Sequence, residues 1–152
     1  MIYPTDFEQK IGFDQIRLKL KALCLSSLGT TQVDHIQFSA DESRIRTWLD
    51  QNNEFKQIFE KGEPFPASHY FDPTELYSTI AIEDSFIEEE SFRLFILSFQ
   101  TILDICSFLD KNKESYPLLY QLSENVRLTK QLVLSIQPKF DDHGKIKDNA
   151  SP

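Results

Sequence analysis

Glycine is scarce in this chain, with four in 152 residues, and that scarcity already narrows the fold. Tight turns of β-rich proteins draw on glycine for left-handed backbone, so a turn-dense sandwich or barrel is a poor fit. Cysteine is scarcer still. Cys24 and Cys106 stand far apart in apolar helical patterns, which reads as two free thiols in a reducing compartment rather than a disulfide framework. Basic residues are in deficit, 16 against 24 acidic ones for a net charge of −8. Phosphate affinity comes chiefly from Lys and Arg releasing counterions, so a free-standing nucleic-acid-binding module is excluded as the first reading. No basic n-region and apolar h-region open the sequence at Met1-Ile2-Tyr3-Pro4-Thr5-Asp6. The most apolar stretch, Phe92 to Leu109, is interrupted by Arg93, Gln100 and Asp104, short of the roughly 18 unbroken apolar residues a membrane span needs. The expected setting is therefore cytoplasmic, without a membrane partner.

What the chain does have is phenylalanine, 13 residues of it, and apolar spacing of helical period. Three capping boxes are predicted, Thr5-x-x-Glu8, Ser39-x-x-Glu42 and Ser85-x-x-Glu88, in which a hydroxyl and a carboxylate satisfy free N–H groups at a helix start. Asp72-Pro73 supplies a fourth start. Phe13, Ile16, Leu20 and Leu23 stripe one helix; Leu28, Val33 and Ile36 mark a shorter one after Ser26-Ser27, with Gly29 permitting close packing. Ile45, Trp48, Leu49, Phe55, Ile58 and Phe59 predict a helix over about 41–61, stopped by Gly62-Glu63-Pro64-Phe65-Pro66. Residues 85–110 are apolar on most sides, which predicts a helix buried by neighbours on most sides, with Phe99 near its centre. Shorter helices are expected around 117–124 and 129–137. The sum is an all-α fold of five to seven helices, an elongated multi-helix bundle over residues 1–138. A turn and extended connector follow over residues 139–152.

The connector rests on Asp141-Asp142-His143-Gly144, a turn signal, and on the polar–apolar alternation Lys145-Ile146-Lys147. Asp142, Gly144 and Asp148 are its marker residues. A turn and a strand signal without a partner strand lead us to expect an N-terminal piece of a longer polypeptide, and a connector that is the least settled part of the chain.

Chemistry-bearing patterns are sparse. None of Gly12, Gly29, Gly62 and Gly144 begins a G-x-x-x-x-G-K-[S/T] phosphate loop. The two cysteines and His35, His69 and His143 never take paired zinc-ligand spacing, and Glu-x-x-His is absent. Glu88-Glu89-Glu90 could be drawn as a metal or acid–base cluster; a helix's first turn, where carboxylates complement the dipole, is the simpler reading. Asp141-Asp142-His143 before Gly144 reads as a turn rather than a metal site. Lys10, Arg17, Lys19 and Lys21 form the one basic concentration, and Arg17 and Lys21 share a helix face. A solvated face is the plainer reading; Lys10, Arg17 and Lys21 are kept as candidates for a weak phosphate contact. No catalytic, cofactor-binding or metal residue is assigned.

One resemblance runs along the chain in order. Tyr3-Pro4-x-x-Phe7-Glu8-x-Lys10-Ile11-Gly12-Phe13-Asp14-x-Ile16-Arg17, followed by Leu23-Cys24-x-Ser26-x-Leu28-Gly29, resembles the N-terminus of the second bacterial branch of the MutS family. Those are MutS-like proteins without the mismatch-reading domains. Asp41-Glu42-x-x-Ile45-x-x-Trp48-Leu49 is similar to the family's next helix, and Asp142-His143-Gly144-Lys145-Ile146-Lys147-Asp148-Asn149-Ala150-Ser151-Pro152 to its D-x-x-G-x-I-x-D-x-A-S-P segment leading to the clamp helices. The resemblance implies part of a core, or lever, domain joining a DNA-embracing clamp to a dimeric ATPase. It implies, for the full-length protein, ATP and magnesium, branched or duplex DNA, self-dimerisation, suppression of homologous recombination and often a C-terminal endonuclease domain. Rescue of collided ribosomes is a further implied role. The contrasting reading, from composition alone, is a stand-alone acidic helical adapter for protein partners. A small helical-bundle enzyme comes last, for want of any nucleophile–base or metal constellation.

Overall fold

The computed structural model describes residues 6–126, 130–140 and 145–147. They form eight α-helices and one 3-10 turn joined by loops, so the all-α expectation holds, with eight helices in place of the five to seven expected. The chain divides into two compact units, Met1–Phe38 and Ser39–Pro152.

The first unit contains α1 (Phe7–Lys10), α2 (Phe13–Leu23) and α3 (Ser27–Asp34). α1 is a single turn. Gly12, at φ 75°, turns the chain from α1 into α2 in the left-handed region where a side chain would be strained. Ser26 starts α3 as the pattern predicts, its Oγ accepting the Gly29 N–H at 3.1 Å. A Cβ on Gly29 would come 3.4 Å from Cys24 Cβ, so glycine there does serve close approach of the α2–α3 turn. Val33 is the buried apolar residue of this unit.

The second unit is built on α4 (Glu42–Glu60), α5 (Thr74–Ile80), α6 (Glu89–Lys111), α7 (Pro117–Ser123) and α8 (Lys130–Ile136). α4 packs on α7, and α6 on both α7 and α8. The stop of α4 is a Schellman motif. Gly62, at φ 68°, donates its N–H to Phe59 O, and Glu63 donates to Ile58 O, which uses two carbonyls the helix leaves free. Past it, rings of Phe59, Phe55, Phe65, Phe108 and Tyr116 follow one another at centroid distances of 5.1, 5.1, 5.6 and 6.5 Å, tying α4, the loop after it, α6 and the entry to α7.

Two helix starts differ from the capping boxes. α4 is capped by Asp41, whose Oδ1 accepts the Arg44 N–H at 3.1 Å, while Ser39 accepts from Asp41 itself. A charged acceptor two residues nearer the helix outcompetes the hydroxyl. Ser85 instead donates to Thr79 O at 2.6 Å, and α6 begins four residues later with no side-chain cap. For the third box, Thr5 lies outside the described residues, and Glu8 is engaged elsewhere.

α6 also departs from the buried axis its sequence suggests. Its buried residues are Ile96, Ser98, Thr101 and Leu109, and only 28% of its most apolar stretch is buried. The reason is the polar pair. Ser98 Oγ accepts the Phe71 N–H at 2.7 Å and Thr101 Oγ1 the His69 N–H at 3.3 Å, so residues 69–71 of the loop after α4 lie on the hydroxyl stripe. Phe99 is half-buried, in edge contact with Phe95 at 4.5 Å. The large truncation cost expected of a central residue passes to Ile96, 4% exposed: Ile96→Ala should lose roughly 2–5 kcal/mol in urea unfolding, and Phe99→Ala less. The reverse order would place the loop on the wrong face of α6.

Glu54 joins α4 to α7. Its carboxylate, 9% exposed, accepts the Leu118 N–H on Oε1 at 3.1 Å and the Leu119 N–H on Oε2 at 2.9 Å. Those are first-turn donors of α7, whose Pro117 has no N–H to place. Glu54→Ala should destabilise the unit by roughly 2–3 kcal/mol, because two buried donors lose a charged acceptor. Glu54→Gln, which retains one acceptor oxygen, should lose about half as much; equal losses in urea melts would show that packing, not capping, is what Glu54 contributes.

Candidate functional site

The one concentration of cations that the sequence offers lies on α1 and α2, and the structure pairs its three phosphate candidates, Lys10, Arg17 and Lys21, with a carboxylate each. Lys10 Nζ is 3.0 Å from Asp6, one turn back on α1. Lys21 Nζ is 2.6 Å from Asp34 at the end of α3. Arg17 is the most enclosed, with its side chain 17% exposed. Its Nη2 meets both Glu8 oxygens at 3.0 and 2.8 Å and Ile36 O at 2.6 Å, while Nη1 donates to Val33 O at 2.7 Å. The guanidinium also lies 4.8 Å from the centre of the Phe13 ring. Arg17 thus works as a C-terminal clasp for α3, a helix end where free carbonyls and the negative end of the dipole favour a cation. The sequence shows the charge of Arg17 but not the carbonyls that converge on it.

The three cations therefore share one unit, yet a phosphate reaching them would compete with Asp6, Glu8 and Asp34 in turn. The fork geometry that lets arginine serve phosphate serves the carboxylate and two carbonyls here. Arg17→Ala should unravel α3: amide exchange in 27–36 should accelerate at least tenfold while α4 to α7 keep their protection. Arg17→Lys, a single ammonium in place of a fork, should rescue it only in part. Unchanged exchange in α3 would remove the clasp.

The connector markers Asp142, Gly144 and Asp148 lie outside the described residues. Their described neighbours are held more firmly than an unpartnered edge implies. Phe140 and Ile146 form an antiparallel bridge, Lys147 N–H reaches Lys139 O at 2.9 Å, and Lys147 Nζ donates to Pro138 O at 2.9 Å. The Phe140 ring sits 6.1 Å from Phe92, and Glu89 accepts the Ile146 N–H. Ile146 thus has its bridge partner in Phe140, a local pairing that the sequence pattern permits. Glu89 and Glu90 occupy the first turn of α6, as the dipole reading has it, and Glu90 is bound to Arg93 at 2.6 Å, which holds its carboxyl below the usual range.

Elsewhere the polar chemistry is structural. Tyr116, wholly buried, donates its hydroxyl to Glu63 at 2.8 Å beneath the Lys61 ammonium; burial, then the Glu63 carboxylate, push its phenol above the ordinary value. A groove of about 190 Å³ between α6 and α8 is lined by Gln100, Leu103, Asp104, Ser107, Val133 and Leu134, and the Asp104 carboxylate in it accepts from Gln100 at 2.8 Å. His35 ends α3 and His69 lies in the loop over α6. Among the described residues no three His, Cys, Asp or Glu side chains gather as a metal site. Gly29 opens α3 under the Ser26 cap. By length and composition alone α6 could cross a membrane; its contacts with α7, α8 and the loop of residues 69–71 are those of a bundle helix.

Burial pushes the Cys106 thiol up from its ordinary value. Its thiolate fraction at pH 8 is correspondingly reduced, and alkylation should be slower than that of an unstructured cysteine peptide, with the rate climbing only as pH rises further. Mass-spectrometric timing of iodoacetamide labelling in the folded chain tests this; peptide-like labelling at pH 8 would show the site to be open.

Comparison with known proteins gives one informative similarity. The endonuclease MutS2 of Enterococcus faecalis is 23% identical over 144 residues, which cover 93% of this chain and 18% of that protein. The chain thus spans less than a fifth of its relative's length. The similarity supports a MutS-related segment. No protein-family profile and no solved structure matches the chain.

Proposed function

We propose that this chain is a non-catalytic helical segment of a MutS-like, DNA-dependent ATPase, serving as part of the core, or lever, that carries motion between a DNA-embracing region and an ATPase. The observation that carries the reading is the similarity to a small part of an endonuclease MutS2 along most of the chain, whose described residues form an all-α fold. Rigid helices joined by buried caps are suited to transmit displacement rather than absorb it, and transmission between two states is what such coupling requires. ATP and magnesium would be held by other parts of the longer protein. DNA and a second copy of the protein would be met mainly through those parts as well. Suppression of recombination is the role we assign to the whole, with rescue of stalled ribosomes as a second setting, both in the cytoplasm.

The isolated chain should then neither hydrolyse ATP nor cleave nucleic acid. Its binding to duplex or branched DNA in gel shifts should be weak and lost between about 50 and 200 mM salt, because acidic residues outnumber basic ones 24 to 16 and Lys10, Arg17 and Lys21 already hold carboxylates. Tight binding that persists in high salt would assign DNA reading to this segment itself. The positive test is a graft. Replacing the matching segment of the Enterococcus faecalis relative with this chain should preserve DNA cleavage to within about tenfold, where deletion of the segment abolishes it. A graft that folds, by circular dichroism and a cooperative melt, yet is as inactive as the deletion would overturn the proposal.

A further inference from the structure

We draw no further inference here: the strongest candidate, the exposed apolar patch of Trp48 and Leu49 on α4, is an unpartnered face, and nothing in the structure shows what covers it.

Discussion

The second unit depends on one buried carboxylate. Glu54 leaves α4 from the same face as Ile58 and ends on two first-turn N–H groups of α7, the donors that a helix cannot satisfy for itself. A charge so enclosed is costly unless its oxygens are bonded, and here each oxygen has a backbone donor. The arrangement fixes more than one contact. With the start of α7 pinned to α4, Tyr116 immediately before it is carried under Phe108 of α6, and its hydroxyl onto Glu63 just past the Schellman turn. Three helices and a loop are thereby set by the geometry of a single side chain.

Arg17 plays the converse part in the first unit. There a cation collects the carbonyls at and beyond the end of α3, and Glu8 from α1 balances it. The unit has little apolar burial to rely on: Val33 is enclosed, whereas Leu23 and Leu25 are 77% and 71% exposed. Below about 40 residues a hydrophobic core seldom sustains a fold unaided, so a polar clasp that joins α1, α2 and α3 takes a larger share of the work than it would in a bigger domain. That is also why Arg17 is a poor reserve for phosphate binding. Removing its carboxylate partner to admit a phosphate would loosen the helices that present it.

Helix existence was legible in the sequence and helix burial was not. The stripes on α2 and α4, the Ser26 start, the Gly62 stop and Pro117 at the head of α7 all lie within a residue or two of where periodicity and capping chemistry put them. Those signals are local, and local backbone hydrogen bonding decides them. α6 was misjudged because apolar coverage states how much a helix can bury, not how many neighbours arrive to bury it. Its enclosed positions, Ser98 and Thr101, look like solvent residues in one dimension and become anchors only when a loop some thirty residues upstream lies over them. Glu54 and Arg17 were hidden for the same reason, since each acts on backbone groups at the far end of another helix. The division after Phe38 also lacks a sequence mark, for Gln37-Phe38-Ser39-Ala40 contains none of the glycine or proline that usually signals a boundary.

The surface that remains bears on how the proposed role would operate. Trp48, Leu49, Phe55 and Phe59 stand 39–64% exposed along α4, and Tyr77, Ile80, Ile82 and Phe86 between 54% and 82% from α5 to the start of α6. Scattered apolar residues at a surface are ordinary, but large ones gathered on one helix, as Trp48 and Leu49 are on α4, are the form that packing surfaces take. A lever that moved freely in water would gain nothing from such a patch, whereas one seated against neighbouring helices would use it to keep its angle under load. Charge fits the same picture: the salt bridges on α1, α2, α4 and α6 are internal, leaving the net acidity of the chain to discourage direct contact with phosphate. Net acidity weakens attraction to a phosphate backbone, which is consistent with the proposal that DNA is met through other parts of the longer protein.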